Sequence, residues 1–198
     1  MHYMIVATVE QLKSFTPGTA PRPSPEIESN FYAHVGVVIS AWQFVEEMIW
    51  HIYERTIGLS SSRPLAASFY SAHGFRARLE MVNSAILQST DIAEQRVVEW
   101  QSIYKHAVAK SKRRNALAHS IVVFHLDSSG KTGELYMRPS TSNANRSALR
   151  AFPTPQEDRI GIDHLDQMYQ SFERLRVELF EYLMQLPVPA AHDVPRGS

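Results

Sequence analysis

The chain has 198 residues and is 44% hydrophobic, which is enough to bury one sizeable core without a stabilising metal or disulfide. It contains no cysteine, which excludes disulfide frameworks, thiolate nucleophiles and cysteine zinc sites and fits a reducing compartment, so we expect a cytoplasmic protein. Its 20 basic and 20 acidic residues cancel, so any contact with nucleic acid must depend on a local group of charges.

The first 24 residues predict an N-terminal arm followed by an extended linker. A short apolar stretch comes first, and Pro17, Pro21 and Pro23 then fix the backbone and remove hydrogen-bond donors. The arm lacks a basic region followed by a continuous apolar stretch, and no run elsewhere approaches the roughly 20 apolar residues of a membrane span. We therefore expect neither export nor membrane association.

A helical domain is predicted over residues 25–187, and it begins with a long amphipathic helix. The sequence Ser24-Pro25-Glu26 combines a capping serine, a proline in the first helical position and a carboxylate in the first turn. Gly58 is expected to end this helix. Between these points the apolar residues recur with the 3.6-residue period of a helix that buries one face: Phe31, Val35, Val38, Ile39, Trp42, Val45, Ile49 and Ile52.

Two more helical regions are predicted in the first two thirds of the chain. One spans about residues 64–87, with a break near Gly74. The next begins at the capping pattern formed by Asp91 and Glu94 and continues toward the segment "KSKRRNALAHS". This basic segment is therefore expected at the carboxyl end of a helix.

The remainder of the chain predicts a hairpin, a loop and a last helix. β-branched and aromatic runs around a glycine-containing loop predict a hairpin over about residues 120–138, and the polar residues 139–161 predict a long surface loop. The last helix is expected to be capped by Asp163 and ended by Pro187, with residues 188–198 as a tail that partly resembles a tag. The expected fold is all-α: a bundle of four main helices with an inserted β-hairpin.

The most distinctive motif is Arg114-Asn115-Ala116-Leu117-Ala118-His119, in which arginine and histidine flank four residues. This string resembles the signature of the HEPN superfamily. The stretch "VVISAWQFVEEMIWHIY" in the first helix is similar to the Trp-x-x-x-Glu sequence of some bacterial members. The resemblance implies a HEPN-like helical bundle that forms a homodimer. It also implies a metal-independent endoribonuclease, with a role in bacterial defence or stress response.

The residue types in this motif fit RNA cleavage without a metal. RNA supplies its own nucleophile, the 2′-hydroxyl, so a proton acceptor and a cation suffice. His119 can act as general base or acid near neutral pH, and the Arg114 guanidinium matches phosphate oxygens. Asn115 lies four residues before His119, so its amide could orient the imidazole. If this segment is helical, Arg114 lies about 140° around the axis from His119, so the arginine must reach around the helix or come from elsewhere. A two-fold dimer in which each copy supplies part of the site offers a solution.

Positive charge accumulates directly before the motif. Five cations and no acidic residue occur between positions 105 and 114: Lys105, Lys110, Lys112, Arg113 and Arg114. We expect Lys110, Lys112 and Arg113 to bind the RNA backbone, because such contacts attract phosphates without reading bases. The structural alternative is that these cations compensate the dipole at the helix carboxyl end.

Two carboxylates of the first helix are further candidates, since Glu46 and Glu47 could pair with Arg114 or order His119. We expect no metal and no cofactor, because the sequence has no His-Glu-x-x-His and no glycine loop that would cradle phosphate. Two other interpretations stay open. One is a non-catalytic HEPN-like dimeric binding or scaffold module, and the other is a protein that binds nucleic acid without cutting it. An inhibitory partner protein is also left open.

Overall fold

The computed structural model describes residues 4–6, 22–58, 63–126, 133–139 and 159–188. The mainly helical fold with a hairpin is confirmed. None of the helices in these ranges is long and apolar enough to cross a membrane. The elements are β1 (Met4–Val6), α1 (Pro25–Ile57), α2 (Arg63–Ser71), α3 (Gly74–Gln88), α4 (Glu94–Ala118), β2 (Ser120–Leu126), β3 (Gly133–Pro139) and α5 (Ile162–Gln185). Most of the predicted loop 139–161 and all but the first residue of the predicted tail 188–198 lie outside the described residues.

Both ends of α1 lie where the sequence predicts them. The Ser24 hydroxyl accepts a hydrogen bond from the Ile27 N–H at 3.3 Å, which satisfies one of the free donors of the first turn. Gly58 has a φ of 72°, and its N–H donates to the Glu54 carbonyl at 3.2 Å. Glycine adopts this left-handed backbone without a steric penalty, so α1 ends there.

The second predicted helical region consists of two helices, and the break falls near Gly74 as expected. Helix α2 ends at Ser71, whose hydroxyl donates to the Ser68 carbonyl at 2.7 Å. Helix α3 begins at Gly74, which has a φ of 82°. A residue with a Cβ is strained in that conformation, so the glycine explains the position of the break.

Two predicted helix caps are wrong. Helix α4 begins at Glu94, and the Ala93 carbonyl accepts its first hydrogen bonds, so Asp91 lies in the preceding turn. Helix α5 begins at Ile162, so Asp163 belongs to its first turn and does not precede it. Glu94 of α4 and Asp163 of α5 lie in the first turns of their helices, where a carboxylate interacts favourably with the helix macrodipole. Each helix therefore has an acidic residue near its start, although the predicted boundary was displaced.

The sheet has three strands in the order β1-β2-β3. Strands β2 and β3 are antiparallel, with Ser120 opposite Pro139 and Leu126 opposite Gly133, so the predicted hairpin is confirmed. Strand β1 runs parallel to β2, with Met4 opposite Val123. This strand was not predicted, because three apolar residues in an N-terminal arm carry no periodicity that distinguishes a strand from an extended arm.

The chain divides into two compact units. The first comprises residues 1–40 and 112–170, and the second comprises residues 41–111 and 171–198. In the first unit, Val123 and Tyr136 face each other across β2 and β3 and pack with the half-buried Ile121. The other buried apolar residues of this unit are Phe31, Val38, Leu117, Phe124, Leu126, Leu135, Met137, Leu165 and Met168.

The core of the second unit is built around tryptophans. The Trp42 ring lies 4.7 Å from the Phe75 ring and 5.0 Å from the Phe172 ring, both in edge-on geometry. The Trp100 ring lies 5.4 Å from the Tyr182 ring. Edge-on aromatic pairs stabilise a core beyond the area that they bury. Burial is the main cause of the raised pKa of the Tyr182 phenol. The nearby Glu99 carboxylate also raises this pKa, whereas Arg96 lowers it.

The apolar face predicted for α1 is largely confirmed. Its buried members are Phe31, Val38, Trp42, Val45, Ile49 and Ile52. Ile39 is the exception, since 49% of its surface is exposed. It follows Val38 directly and so points about 100° away from that buried side chain, outside the buried face. Val35 is half-buried.

The first unit offers a matched pair of glycine substitutions. A Cβ on Gly133 would lie 2.3 Å from the His125 carbonyl oxygen and 2.9 Å from Phe124 Cε2, whereas a Cβ on Gly36 would meet nothing within 4 Å. We expect Gly133→Ala to lower the free energy of unfolding by about 2 kcal/mol through overpacking. Gly36→Ala in α1 should raise it by about 0.5 kcal/mol. Urea unfolding of both variants checks this, and similar values for the two would contradict the hairpin geometry.

Candidate functional site

The motif Arg114–His119 lies where α4 changes into β2. Ala118 is the last helical residue, His119 forms a turn and Ser120 begins the strand. The His119 N–H donates to the Asn115 carbonyl at 3.0 Å, and the Ser120 hydroxyl donates to the Ala116 carbonyl at 2.6 Å. These bonds satisfy carbonyls that a helix end otherwise leaves free, so the turn holds His119 at a defined position.

Burial separates an anchoring residue from the candidate chemical groups. Leu117 is only 3% exposed and holds this turn of the helix in the first unit. Asn115 and His119 are exposed, and Arg114 is half-buried. Ala116 and Ala118, which flank the anchor, are exposed too and have only methyl side chains. The end of α4 therefore presents an imidazole and an amide to solvent, beside two alanines whose side chains are small.

Arg114 and Asn115 contact each other directly. Arg114 Nη1 donates to Asn115 Oδ1 at 3.3 Å. The sequence predicts that the Asn115 amide orients the His119 imidazole, whereas the bond described here joins its oxygen to the guanidinium. The structure thus brings two of the three candidate catalytic side chains together, and it connects the third through the backbone bond from His119 to Asn115.

The predicted RNA-binding cations fall into two groups. Lys112 and Arg113 are exposed. Lys110 is half-buried, and its Nζ donates to the hydroxyl of the buried Ser171 in α5 at 3.0 Å. A lysine held in this way helps to pack α4 on α5 and has less freedom to bind a ligand. Lys112 and Arg113 are thus the better placed of the three for a phosphate backbone.

The two candidate carboxylates of α1 have structural contacts in their own unit. Glu46 pairs with Arg78 and accepts a hydrogen bond from the Trp42 indole N–H at 2.7 Å. Glu47 lies 3.8 Å from the His51 imidazole. The sequence did not indicate the contact between Glu46 and Arg78, because the two residues are 32 positions apart and belong to different helices.

The first unit also contains a cavity of about 460 Å³ that the sequence did not predict. Among its lining residues are Asn30 of α1, Leu135 of β3 and His164 of α5. Arg159 lines it as well, where its guanidinium lies 4.7 Å from the centre of the Tyr136 ring. These residues come from four separate segments and share no local pattern, so spacing along the chain could not reveal them.

Comparison with other proteins adds no further assignment. No protein-family model, curated protein or solved structure matches the chain. The described residues hold no group of three histidine or carboxylate side chains arranged to bind a metal ion. The HEPN resemblance therefore rests on the motif and on the helices around it.

The contacts of the two neighbouring glutamates predict unequal effects on stability. Glu46→Ala should lower the free energy of unfolding by about 2 kcal/mol, because it leaves the Arg78 guanidinium and the buried Trp42 N–H without this acceptor. Glu47, whose side chain is 55% exposed, should change it by less than about 0.5 kcal/mol when replaced by alanine. Chemical denaturation measures both values. A loss of the same size in both variants would show that the half-buried ion pair is not what stabilises this region.

Proposed function

We propose that the protein is a metal-independent endoribonuclease of the HEPN type that acts as a homodimer. The observation that carries the proposal is the position of the Arg114–His119 motif, with an exposed imidazole and an adjacent arginine–asparagine pair at the end of α4. This arrangement supplies a proton-transfer group and a permanent cation within six residues of the chain. Both groups are needed for cleavage by the 2′-hydroxyl, and neither requires a cofactor.

In the proposed reaction, the RNA chain breaks at a phosphodiester. His119 accepts the proton of the 2′-hydroxyl, the 2′-oxygen forms a bond to phosphorus, and the bond from phosphorus to the 5′-oxygen breaks. The 5′-oxygen leaves with the proton that the imidazole took up. The products are a 2′,3′-cyclic phosphate and a 5′-hydroxyl. Arg114 stabilises the additional negative charge on the phosphorane oxygens.

The spacing of the motif along the helix supports a dimeric site. Arg114 and His119 are five residues apart, and side chains at that spacing on a helix project about 140° apart, so we propose that two copies of the motif share one phosphate site. A two-fold axis beside this surface brings Arg114 of one copy near His119 of the other. The exposed Ala116 and Ala118 allow a close approach of two chains there. Asn115 then serves to position the guanidinium to which it is hydrogen bonded.

A non-catalytic HEPN-like dimeric scaffold is the second candidate. It is favoured by the half-burial of Arg114 and by its hydrogen bond to Asn115, because these features also suit a residue that only stabilises a helix end or an interface. The nuclease and the scaffold differ in what removal of the imidazole does. The nuclease loses its reaction, whereas the scaffold has none to lose.

Substitution of the exposed imidazole tests the proposal. We expect His119→Ala to reduce cleavage of single-stranded RNA at least about 100-fold, because it removes general acid–base catalysis. The assay is run in chelator, and mass spectrometry identifies cyclic phosphate ends in the wild-type products.

A second histidine provides the control for that experiment. His73→Ala removes another exposed histidine, one that precedes α3 and makes no side-chain capping bond, and this variant should cleave like the wild type. Equal cleavage by wild type and both variants would indicate a contaminating nuclease. No cleavage by the wild type, while it still forms a dimer, would favour the scaffold.

RNA binding tests the role of the exposed cations separately from catalysis. The double substitution Lys112→Ala with Arg113→Ala should reduce the slope of log affinity against log salt concentration by about 1.4, since each lost phosphate contact on single-stranded RNA contributes about 0.7. Arg63→Ala with Arg174→Ala removes two exposed cations elsewhere and should leave the slope unchanged. Fluorescence anisotropy with labelled RNA gives both slopes. The same change in both double variants would contradict a local binding surface.

A further inference from the structure

A second surface of interest lies in the second unit, on α1 and α2. It consists of Trp50, Tyr70, Glu47 and Glu54, and we call it the aromatic–carboxylate surface. Tyr70 is 55% exposed and Trp50 is half-buried. Glu47 and Glu54 have side-chain exposures of 55% and 24%. The catalytic proposal uses none of these residues in a chemical step.

The two aromatic rings of this surface pack on a buried aromatic residue. The Trp50 ring lies 5.6 Å from the Tyr70 ring and 5.2 Å from the ring of Phe69, which is only 1% exposed. Phe69 and Tyr70 meet edge to face at 5.3 Å, and the Tyr53 ring lies 5.1 Å from the Phe69 ring. Tyr70 therefore extends an aromatic cluster to the solvent while its base is held by a buried ring.

The charge around the aromatic rings is mainly negative. Burial raises the pKa of the Tyr70 phenol, the Arg78 guanidinium lowers it, and the carboxylates of Glu47, Glu46 and Glu54 raise it. Three acidic groups and one arginine thus act on the same phenol. Arg78 is paired with Glu46, and the 55% exposed carboxylate of Glu47 adds negative charge to this surface. His51 lies between them, 3.8 Å from Glu47 and 3.6 Å from Glu54.

The protein itself already places an arginine against one of these rings. The Arg78 guanidinium lies 6.0 Å from the centre of the Tyr70 ring while it pairs with Glu46. A guanidinium that faces an aromatic ring and also binds a carboxylate gains from both interactions. Since Tyr70 and the Glu47 side chain are each 55% exposed, a ring and a second carboxylate are accessible to a cation from outside the chain.

We infer that the aromatic–carboxylate surface is a docking site for an arginine side chain presented by a partner protein, with the guanidinium stacked on Tyr70 and paired with Glu47. Arginine fits better than lysine because its planar group both stacks on a ring and forms two parallel bonds to a carboxylate. Aromatic residues and arginine are also the residue types that dominate protein interfaces. This inference does not depend on the nuclease proposal.

Charge and symmetry distinguish this partner from two other occupants. A nucleic acid could stack its bases on Tyr70, but its phosphates would be repelled by Glu47 and Glu54. A second copy of this chain could offer Lys112 and Arg113, but a contact between two different surfaces is heterologous and produces rings or open chains of subunits, not a two-fold pair. A separate basic protein segment meets neither objection.

Peptide binding to the full chain tests the inference. The probe is a decapeptide of alternating arginine and glycine, with a lysine–glycine and a serine–glycine peptide for comparison. We expect the indole N–H signal of Trp50 to shift on titration, while that of Trp100, which donates to Asn83 at 3.1 Å, stays in place. The arginine peptide should bind at least threefold more tightly than the lysine peptide, and the serine peptide should not shift Trp50.

Charge reversal at two exposed glutamates separates local from general electrostatics. Glu47→Lys and Glu181→Lys change the net charge equally, and Glu181 is an exposed residue of α5. We expect Glu47→Lys to weaken arginine-peptide binding at least tenfold and Glu181→Lys to change it less than twofold. Tyr70→Ala should weaken binding at least fivefold, whereas Tyr70→Phe, which keeps the ring, should retain it.

Several results would overturn the inference. These are equal losses in the two charge reversals, unchanged binding in Tyr70→Ala, or no shift of Trp50 by millimolar arginine peptide in a protein that is folded by circular dichroism. A shift of Trp50 by single-stranded RNA that Tyr70→Ala abolishes would assign the surface to nucleic acid. Sedimentation showing concentration-dependent chains of subunits that Glu47→Lys dissolves would assign it to a second copy.

Discussion

The abrupt change from helix to strand at His119 is the constraint on which the candidate site depends. Helix α4 has no glycine at its end, so its last carbonyls are satisfied by the His119 N–H and the Ser120 hydroxyl. The strand then starts at once, and its residues are tied to β3 over the whole length of β2. Leu117 is buried while Ala116, Ala118 and His119 are exposed, so this anchor holds the helix end with His119 at the surface.

The neutral net charge of the chain conceals an uneven distribution of charge. Cations without intervening acids occupy the last turns of α4, and carboxylates of α1 lie near the exposed Tyr70 ring of α2. A positively charged surface attracts phosphates and a negatively charged surface attracts guanidinium groups, so the two surfaces select different kinds of ligand. The proposed nuclease site and the proposed arginine-docking site therefore use different residues and different chemistry, and each proposal can fail without the other.

Local signals in the sequence predicted most of the fold, whereas contacts between distant residues were beyond them. Ser24, Gly58 and Gly74 mark helix boundaries through their own backbone and side-chain preferences, so their roles were legible from the sequence. The cap assigned to Asp163 was displaced because a carboxylate suits the first turn as well as the cap, and at α4 the first-turn carboxylate is Glu94, whereas Asp91 precedes the helix. The pairing of β1 with β2 and the contact of Glu46 with Arg78 join residues far apart in the chain, and nothing in the spacing encodes such partners.

Subunit complementation tests the central claim most directly, because the proposed site combines Arg114 of one copy with His119 of the other. Arg114→Ala and His119→Ala proteins are each expected to be inactive on RNA. After subunit exchange in an equal mixture, half of the dimers carry one intact composite site, so cleavage should return to about a quarter of the wild-type rate. A mixture that forms mixed dimers and yet cleaves no faster than either variant alone would contradict the composite site.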